Sequence, residues 1–345
     1  MPHICGFWED NRMKHFKLRA ALVAGLIVGM VSPSLAEVTT LRLAKQFGIG
    51  YLPLTLIEEQ GLLEKHAKEA GIELKGEWLR FTGGSGMNEA LLSDNLDIAA
   101  GGVGPMLTIW ARTQNNLKVK GVAALESMPL YLVTTSPEVK TLADFTSSHK
   151  IALPTVKTSI QAITLQMGAE KYLGEGKNNA LDAFTVSMGH PDAQLAMMGG
   201  QSEITAHFGA PPFQEQELKD ERAHKVLDSY DVLGGPHTFN LIWAKNEFIE
   251  QNPKVVGVLM AALDESMNFI RENPEEAAKI WAGAEATNLS QEEIVALITD
   301  ERVHWSTKPE GIQPYVDYMS RAGLITNSTD DWHDIFFDTI DKSAE

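Results

Sequence analysis

Four times along this chain a short apolar run of β character stops at a loop rich in glycine or hydroxyl residues, and a helical stretch follows. Leu41–Ala44 leads into Gln46–Tyr51, and Ile72–Phe81 into Thr82-Gly83-Gly84-Ser85. Leu96–Ala100 leads into Gly101-Gly102-Val103-Gly104, and Lys150–Leu153 into Pro154–Ser159. Such alternation predicts an α/β chain with parallel or mixed sheets flanked by helices on both faces. In open sheets of this kind, small molecules bind beyond the carboxyl ends of the strands, where loops turn into helices. Those turns present free N–H groups and the positive end of a helix dipole. Glycine in them lets the backbone approach a bound group closely.

The remaining pattern continues the scheme. Further strands are predicted at Lys118–Leu125, Tyr131–Thr134, Ala183–Val186, Glu203–Phe208 and Lys225–Leu227. Helices are predicted at Leu52–Ala70 with a break near Gly61, at Met87–Ser93, from Met106, at Thr141–Ser147, and at Ser159–Leu173. The last third reads as helical: Pro253–Asn273, Pro274–Ala282, Gln291–Asp300, Ile312–Ala322 and Trp332–Lys342. Pro253 and Pro274 sit where a first helical turn tolerates proline, and Ser290 with Glu293 forms a capping box. A length of 345 residues favours two domains.

The N-terminus sets the compartment. From Met13, the cations Lys14, Lys17 and Arg19 precede an apolar run, Ala20–Val31, and then Ser32-Pro33-Ser34-Leu35-Ala36. This is the pattern of a secretory signal peptide, with cleavage expected after Ala36 and Met13 as the expected start. The apolar run is shorter than the roughly 20 residues a membrane helix needs. The lone cysteine, Cys5, precedes the cut, so the expected mature chain has no disulfide, thiolate metal site or cysteine nucleophile. Removing the leader leaves 25 Lys+Arg against 44 Asp+Glu, a net charge of −19. That argues against nucleic acid as a partner. The mature histidines show no HExxH spacing, and no G-x-S-x-G or Walker sequence occurs, so no catalytic residue, cofactor or metal is expected.

The order Gln46–Pro53, Glu58–Lys65, Phe81–Gly84, Leu96–Ala99 and Gly101–Pro105 resembles the first part of nitrate/taurine/sulfonate-type ABC-transporter substrate-binding proteins. Leu142–Phe145 ahead of Lys150–Pro154, and later Phe248 with Asn252-Pro253-Lys254, resemble the same family. The resemblance implies a two-lobed periplasmic binding protein (type II) with mixed sheets and a cleft between lobes. Lobe I would comprise 37–128 plus 238–345, and lobe II 129–237. It further implies a periplasmic monomer that binds a small molecule by hinge closure and delivers it to an ABC permease and its ATPase. One departure stands out: many sulfonate binders carry an Asp-Ala-Trp-type strand where this chain reads Glu203–Phe213. The pyrimidine synthase of thiamine biosynthesis shares this fold class but carries a cysteine-rich motif. A sensor subunit with the same ligand is the other alternative.

Candidate ligand-binding residues follow from the loops: Gln46, Phe47, Tyr51, Thr82, Gly83, Gly84, Ser85, Gly102, Val103, Thr155 and Ser159. Glu126, at the end of the strand expected to cross between lobes, joins them, as do His207, Phe208 and His237. Tyr51 and Phe208 could stack on a planar ligand or pack in the core. The loops hold no arginine fork, so the expected ligand is a small polar organic molecule: a sulfonate-like anion held by backbone donors, or a planar heterocycle.

Overall fold

The structure is a computed structural model that describes residues 3, 36–285 and 287–342. The expected leader, from Met13 to Leu35, lies outside the described residues. The first four strands are β1 (Thr40–Lys45), β2 (Lys75–Arg80), β3 (Ala99–Gly102) and β4 (Lys120–Ser127). They are followed by β5 (Tyr131–Thr134), β6 (Lys150–Leu153), β7 (Thr185–Ser187), β8 (Ile204–Phe208), β9 (His224–Asp228) and β10 (Thr238–Ala244).

β1 and β2 pair in parallel, with Leu43 opposite Trp78. β10 pairs antiparallel with both β3 and β4. A bridge between Leu43 and Ile98, with Ala44 N donating to Ile98 O at 3.0 Å, joins these two groups. The second sheet has the order β7-β6-β8-β5-β9 and mixes parallel pairs (β6 with β7 and β8) with antiparallel ones (β5 with β8 and β9). β10 reads Thr-Phe-Asn-Leu-Ile-Trp-Ala and is buried along its whole length, because helices cover both faces of a central strand. Behind the first sheet, Leu54, Ile57, Leu62 and Leu63 pack with Val255, Leu259 and Leu263 of the helix Pro253–Glu272. Each such leucine contributes about 1.5–3 kcal/mol by burial.

The chain passes between the sheets twice, at Met128–Leu130 and at Gly234–His237. The crossings are tied together. Ser229 N donates to Leu130 O at 2.9 Å, and Leu130 N donates to Ser229 Oγ at 2.9 Å. His237 Nδ1 donates to Thr238 O at 3.0 Å, so its Nε2 accepts from Ser229 Oγ at 2.8 Å. This is the bonding of a neutral imidazole, the form that burial favours by pushing His237 down to about 4.

Several element boundaries differ from expectation for local reasons. The Thr141–Ser147 helix is one 3-10 turn, Leu142–Asp144, because Asp144 folds back to accept from Thr141 N and Lys140 N. The break expected near Gly61 is present: Leu52–Glu59 and Leu62–Glu69 are separate helices, divided where Gly61 adopts φ 62°. β4 starts at Lys120 because Lys118 turns at φ 47°. Trp332–Lys342 breaks at Phe336, which bridges to Gly121.

Candidate ligand-binding cleft

Four helices begin at one small cavity. They are Gly84–Leu92, Val103–Thr113, Ile160–Leu173 and His190–Gly199. Each follows directly on a strand or its loop, and Gly84, Gly102, Ser159, Ile160, Gln161 and His190 line the cavity. Three of the four N-caps are glycines (Gly83, Gly102, Gly189) with no side-chain cap. Only Ser159 caps its own helix, accepting from Ala162 N at 3.2 Å. The first-turn N–H groups of the other three therefore lack the usual side-chain partner. The remaining wall is Gln46, Phe47, Tyr51, Pro105, Pro154, Phe239 and Asn240, so among the described residues no Asp, Glu, Lys or Arg lines the cavity.

The cavity is about 20 Å3, roughly the room for a single water. It is small because the loops of the two sheets meet backbone to backbone. A Cβ on Gly83 would stand 2.6 Å from Thr155 Oγ1, and one on Gly104 would strike the Thr158 carbonyl. Ser85 Oγ and Thr158 Oγ1 are 3.2 Å apart, and Ile49 N donates to Pro211 O at 3.1 Å. A wider groove of about 490 Å3 shares Phe47 with the cavity, and the Arg80 guanidinium lies 5.0 Å from the Phe47 ring centroid.

Behind the cavity, Tyr51 OH donates to Asn240 Oδ1 at 2.9 Å, and Asn240 Nδ2 and N donate to Glu126 Oε1 at 3.0 and 3.1 Å. Glu126 Oε2 has no hydrogen-bond partner among the described residues. Burial holds the Glu126 carboxyl well above the usual range, although the Asn240 bonds pull the other way. Burial, with Glu126 nearby, pushes the Tyr51 phenol well above its usual value.

The sequence-predicted residues fall into four groups. Gln46, Phe47, Tyr51, Gly84, Gly102 and Ser159 line the cavity. Gly83 and Thr155 meet at the seam between the two sheets, Ser85 bonds across it, and Thr82 packs beside Gly189. Glu126 stands behind Asn240, and Val103 is fully buried in the core. His207, Phe208 and His237 are elsewhere. His207 and Phe208 are successive residues of β8, so they point to opposite faces of the sheet, and both are 0% exposed: Phe208 packs in the hydrophobic core and His207 bonds to Glu217 and His190. His237 belongs to the crossing between sheets. Asn240, Gln161, Phe239 and His190 line the cavity without having been singled out. His190 carried a readable signal, since Gly189-His190-Pro191 repeats the strand–glycine–helix pattern of the other loops. Among the described residues no cluster of His, Cys, Asp or Glu is placed to hold a metal ion, and no helix is long and apolar enough to cross a membrane.

Two mixed α/β sheets flanked by helices, with loops converging between them, are the fold of the periplasmic binding proteins. The alkanesulfonate-binding protein of Xanthomonas axonopodis pv. citri, solved with MOPS bound, has a TM-score of 0.67 at 17% identity, over 85% of this chain and 96% of its own. The aliphatic sulphonate-binding protein of Escherichia coli has 0.63 at 22%, over 87% and 99%. The nitrate-binding protein of Synechocystis PCC 6803 has 0.68 at 18%, over 89% and 89%. Residues 68–277 match the NMT1/THI5 like family, and the chain belongs to that family. No curated protein sequence matches it.

Proposed function

We propose that this chain is the extracytoplasmic solute-binding component of an ABC importer, and that it holds a small oxoanion, such as a sulfonate, in the cleft. The observation that carries this is the convergence of four helix N-termini on a cavity walled by uncharged residues. Hydrogen bonds to a charged group contribute about 1.5–3 kcal/mol each. A helix N-terminus adds about 0.3–1 kcal/mol, and more when partly buried. Several such donors together offset the loss of an anion's hydration. The expected mature charge of −19 opposes this only at long range. At physiological salt, surface charges are screened beyond about 8 Å, whereas enclosed dipoles are not. Likeness in fold to proteins named for sulfonate and nitrate binding supports the same reading.

In this proposal lobe I is 37–128 with 238–345, lobe II is 129–237, and the ligand enters when the lobes part. The mature protein would begin at Glu37 in the periplasm, partnered by a permease and its ATPase. A thermal-shift screen of the mature protein against methanesulfonate, taurine, nitrate, carboxylates and pyrimidines tests the reading, since a ligand stabilises by mass action. Stabilisation by an oxoanion is the expected result. Stabilisation by pyrimidines, sugars or amino acids alone sinks it.

A further inference from the structure

Three buried side chains form one hydrogen-bonded line that ends at the cavity. Glu217 Oε1 accepts from His207 Nδ1 at 2.6 Å, and His207 Nε2 lies 2.8 Å from His190 Nδ1. His190 is part of the cavity wall. Glu217 and His207 are 0% exposed and His190 is 6% exposed, so water does not screen the line. Glu217 Oε2 has no hydrogen-bond partner among the described residues, and the ion-pair partner recorded for this carboxylate is His207.

The direction of the line follows from what each atom can do. A carboxylate only accepts, so His207 Nδ1 carries the hydrogen. A neutral His207 then has a bare Nε2, which accepts from His190 Nδ1. A neutral His190 in turn has a bare Nε2, and Gln161 Nε2 donates to it from 3.4 Å. In that state the line carries a buried charge of −1, and its cavity end is an acceptor. An oxoanion is also an acceptor and also negative, so it meets a lone pair and an uncompensated charge. One added proton reverses both features. An imidazolium at His207 donates to Glu217 on one side and to His190 Nδ1 on the other. His190 then carries its hydrogen on Nε2, the cavity end becomes a donor, and the net charge of the line is zero.

We propose that the Glu217–His207–His190 line makes the cleft a proton-linked oxoanion site, in which the anion and one solvent proton bind together and His190 Nε2–H donates to the anion. This rests on the oxoanion reading above. The proton comes from water and stays on the line until the ligand leaves, so charge balances with no other reactant. Burial and the adjacent His207 hold His190 well below the usual imidazole range, the direction expected of an acceptor end before a ligand arrives. The other elements packed around His190 supply Gln161, the Phe213 ring stacked at 5.6 Å, and the uncharged cavity wall. The titratable neighbour to be separated from the line is Glu215, on the same short helix as Glu217. Burial pushes Glu215 up to about 7 against the pull of its hydrogen bonds, and Glu217 adds to the rise.

The test is calorimetric titration of the mature protein with ethanesulfonate and with nitrate from pH 6 to 9 in bis-tris propane, which is not an oxoanion. Affinity for the bound anion should fall by about tenfold per pH unit on the alkaline side, the slope of one linked proton. Glu217→Gln removes the buried charge, and His190→Gln places a permanent amide donor at the wall, so either variant should flatten that slope. Glu215→Gln should keep it. Nitrogen-15 spectra of histidine-labelled, ligand-free protein give a readout that needs no ligand: His190 Nε2 should be unprotonated at pH 8. An oxoanion bound equally well at every pH overturns the proposal and leaves the functional reading standing, as does a slope abolished by Glu215→Gln but kept in both other variants. A protonated His190 Nε2 at pH 8 also overturns it. Failure of both anions to bind at any pH overturns the proposal and the reading together.

Discussion

Glu126 is a carboxyl buried to 1% exposure, with no cation beside it among the described residues. Its folded-state pKa is raised, while the unfolded chain ionises in the ordinary carboxylate range. Between those two points the folded protein holds a proton that the unfolded protein lacks, so stability is lost as pH rises through that window. Glu126→Gln keeps an acceptor for Asn240 and cannot ionise. Urea unfolding should therefore find the variant close to wild type near pH 4, and increasingly the more stable of the two toward pH 8. The gap should grow by up to about 1.4 kcal/mol per pH unit. A constant gap across that range would mean that Glu126 ionises normally in the fold. At this scale the sequence was half legible. Loop residues such as Gln46 and Ser159 announce themselves through their neighbours, because backbone position alone puts them at the cavity. Phe208 and His207 do not, because only the packed structure reveals that both faces of β8 are buried at these two residues. Asn240 offered one clue, a single amide in the apolar run Phe239–Ala244.

The same substitution should act with opposite sign in two helices. Gly104 stands in the first turn of Val103–Thr113, and an added Cβ would meet backbone on every side: the Thr158 carbonyl, Ser159 C at 3.2 Å and Ile160 N at 3.3 Å. Backbone cannot rotate aside as a side chain can, and overpacking of this kind costs about 1–3 kcal/mol. If the contact forms only when the lobes close, Gly104→Ala weakens oxoanion binding by roughly tenfold or more while leaving the melting temperature of the free protein nearly unchanged. An unchanged affinity would show that this seam does not tighten on binding. Gly257 is exposed within the helix Pro253–Glu272 and has nothing within 4 Å of its added Cβ. There alanine removes backbone freedom from the unfolded chain alone, and Gly257→Ala should raise stability by about 0.5–1 kcal/mol in the same urea experiment. Elements were read from the sequence where periodicity and caps agreed, as at Ser290, whose hydroxyl accepts from Glu293 N at 3.3 Å. They were misread where a polar side chain diverted the backbone, as Asp144 does when it folds back onto Thr141.

At the scale of the whole molecule, a cavity of about 20 Å3 cannot admit even a small sulfonate without movement. The arrangement of the crossings says where that movement can occur. Two short segments, bonded to each other through Ser229, Leu130 and His237, join the sheets, and in the proposed reading a rotation about them would part the seam while the sheets stay intact. Across the seam Ser85 Oγ and Thr158 Oγ1 lie 3.2 Å apart, so sulfur atoms at those two positions would be within easy reach of one another. The only native cysteine is Cys5, ahead of the expected cleavage point, so no other thiol competes in the mature protein. The Ser85→Cys/Thr158→Cys double variant, oxidised before any ligand is added, should be locked shut. It should bind no oxoanion in calorimetry and should show a smaller radius of gyration in X-ray scattering than its reduced form. Dithiothreitol should restore both binding and the larger radius. Full binding by the oxidised protein would sink the hinge, because ligand would then reach the site with the seam closed; in that case the groove that meets the cavity at Phe47 becomes the place to look for the path.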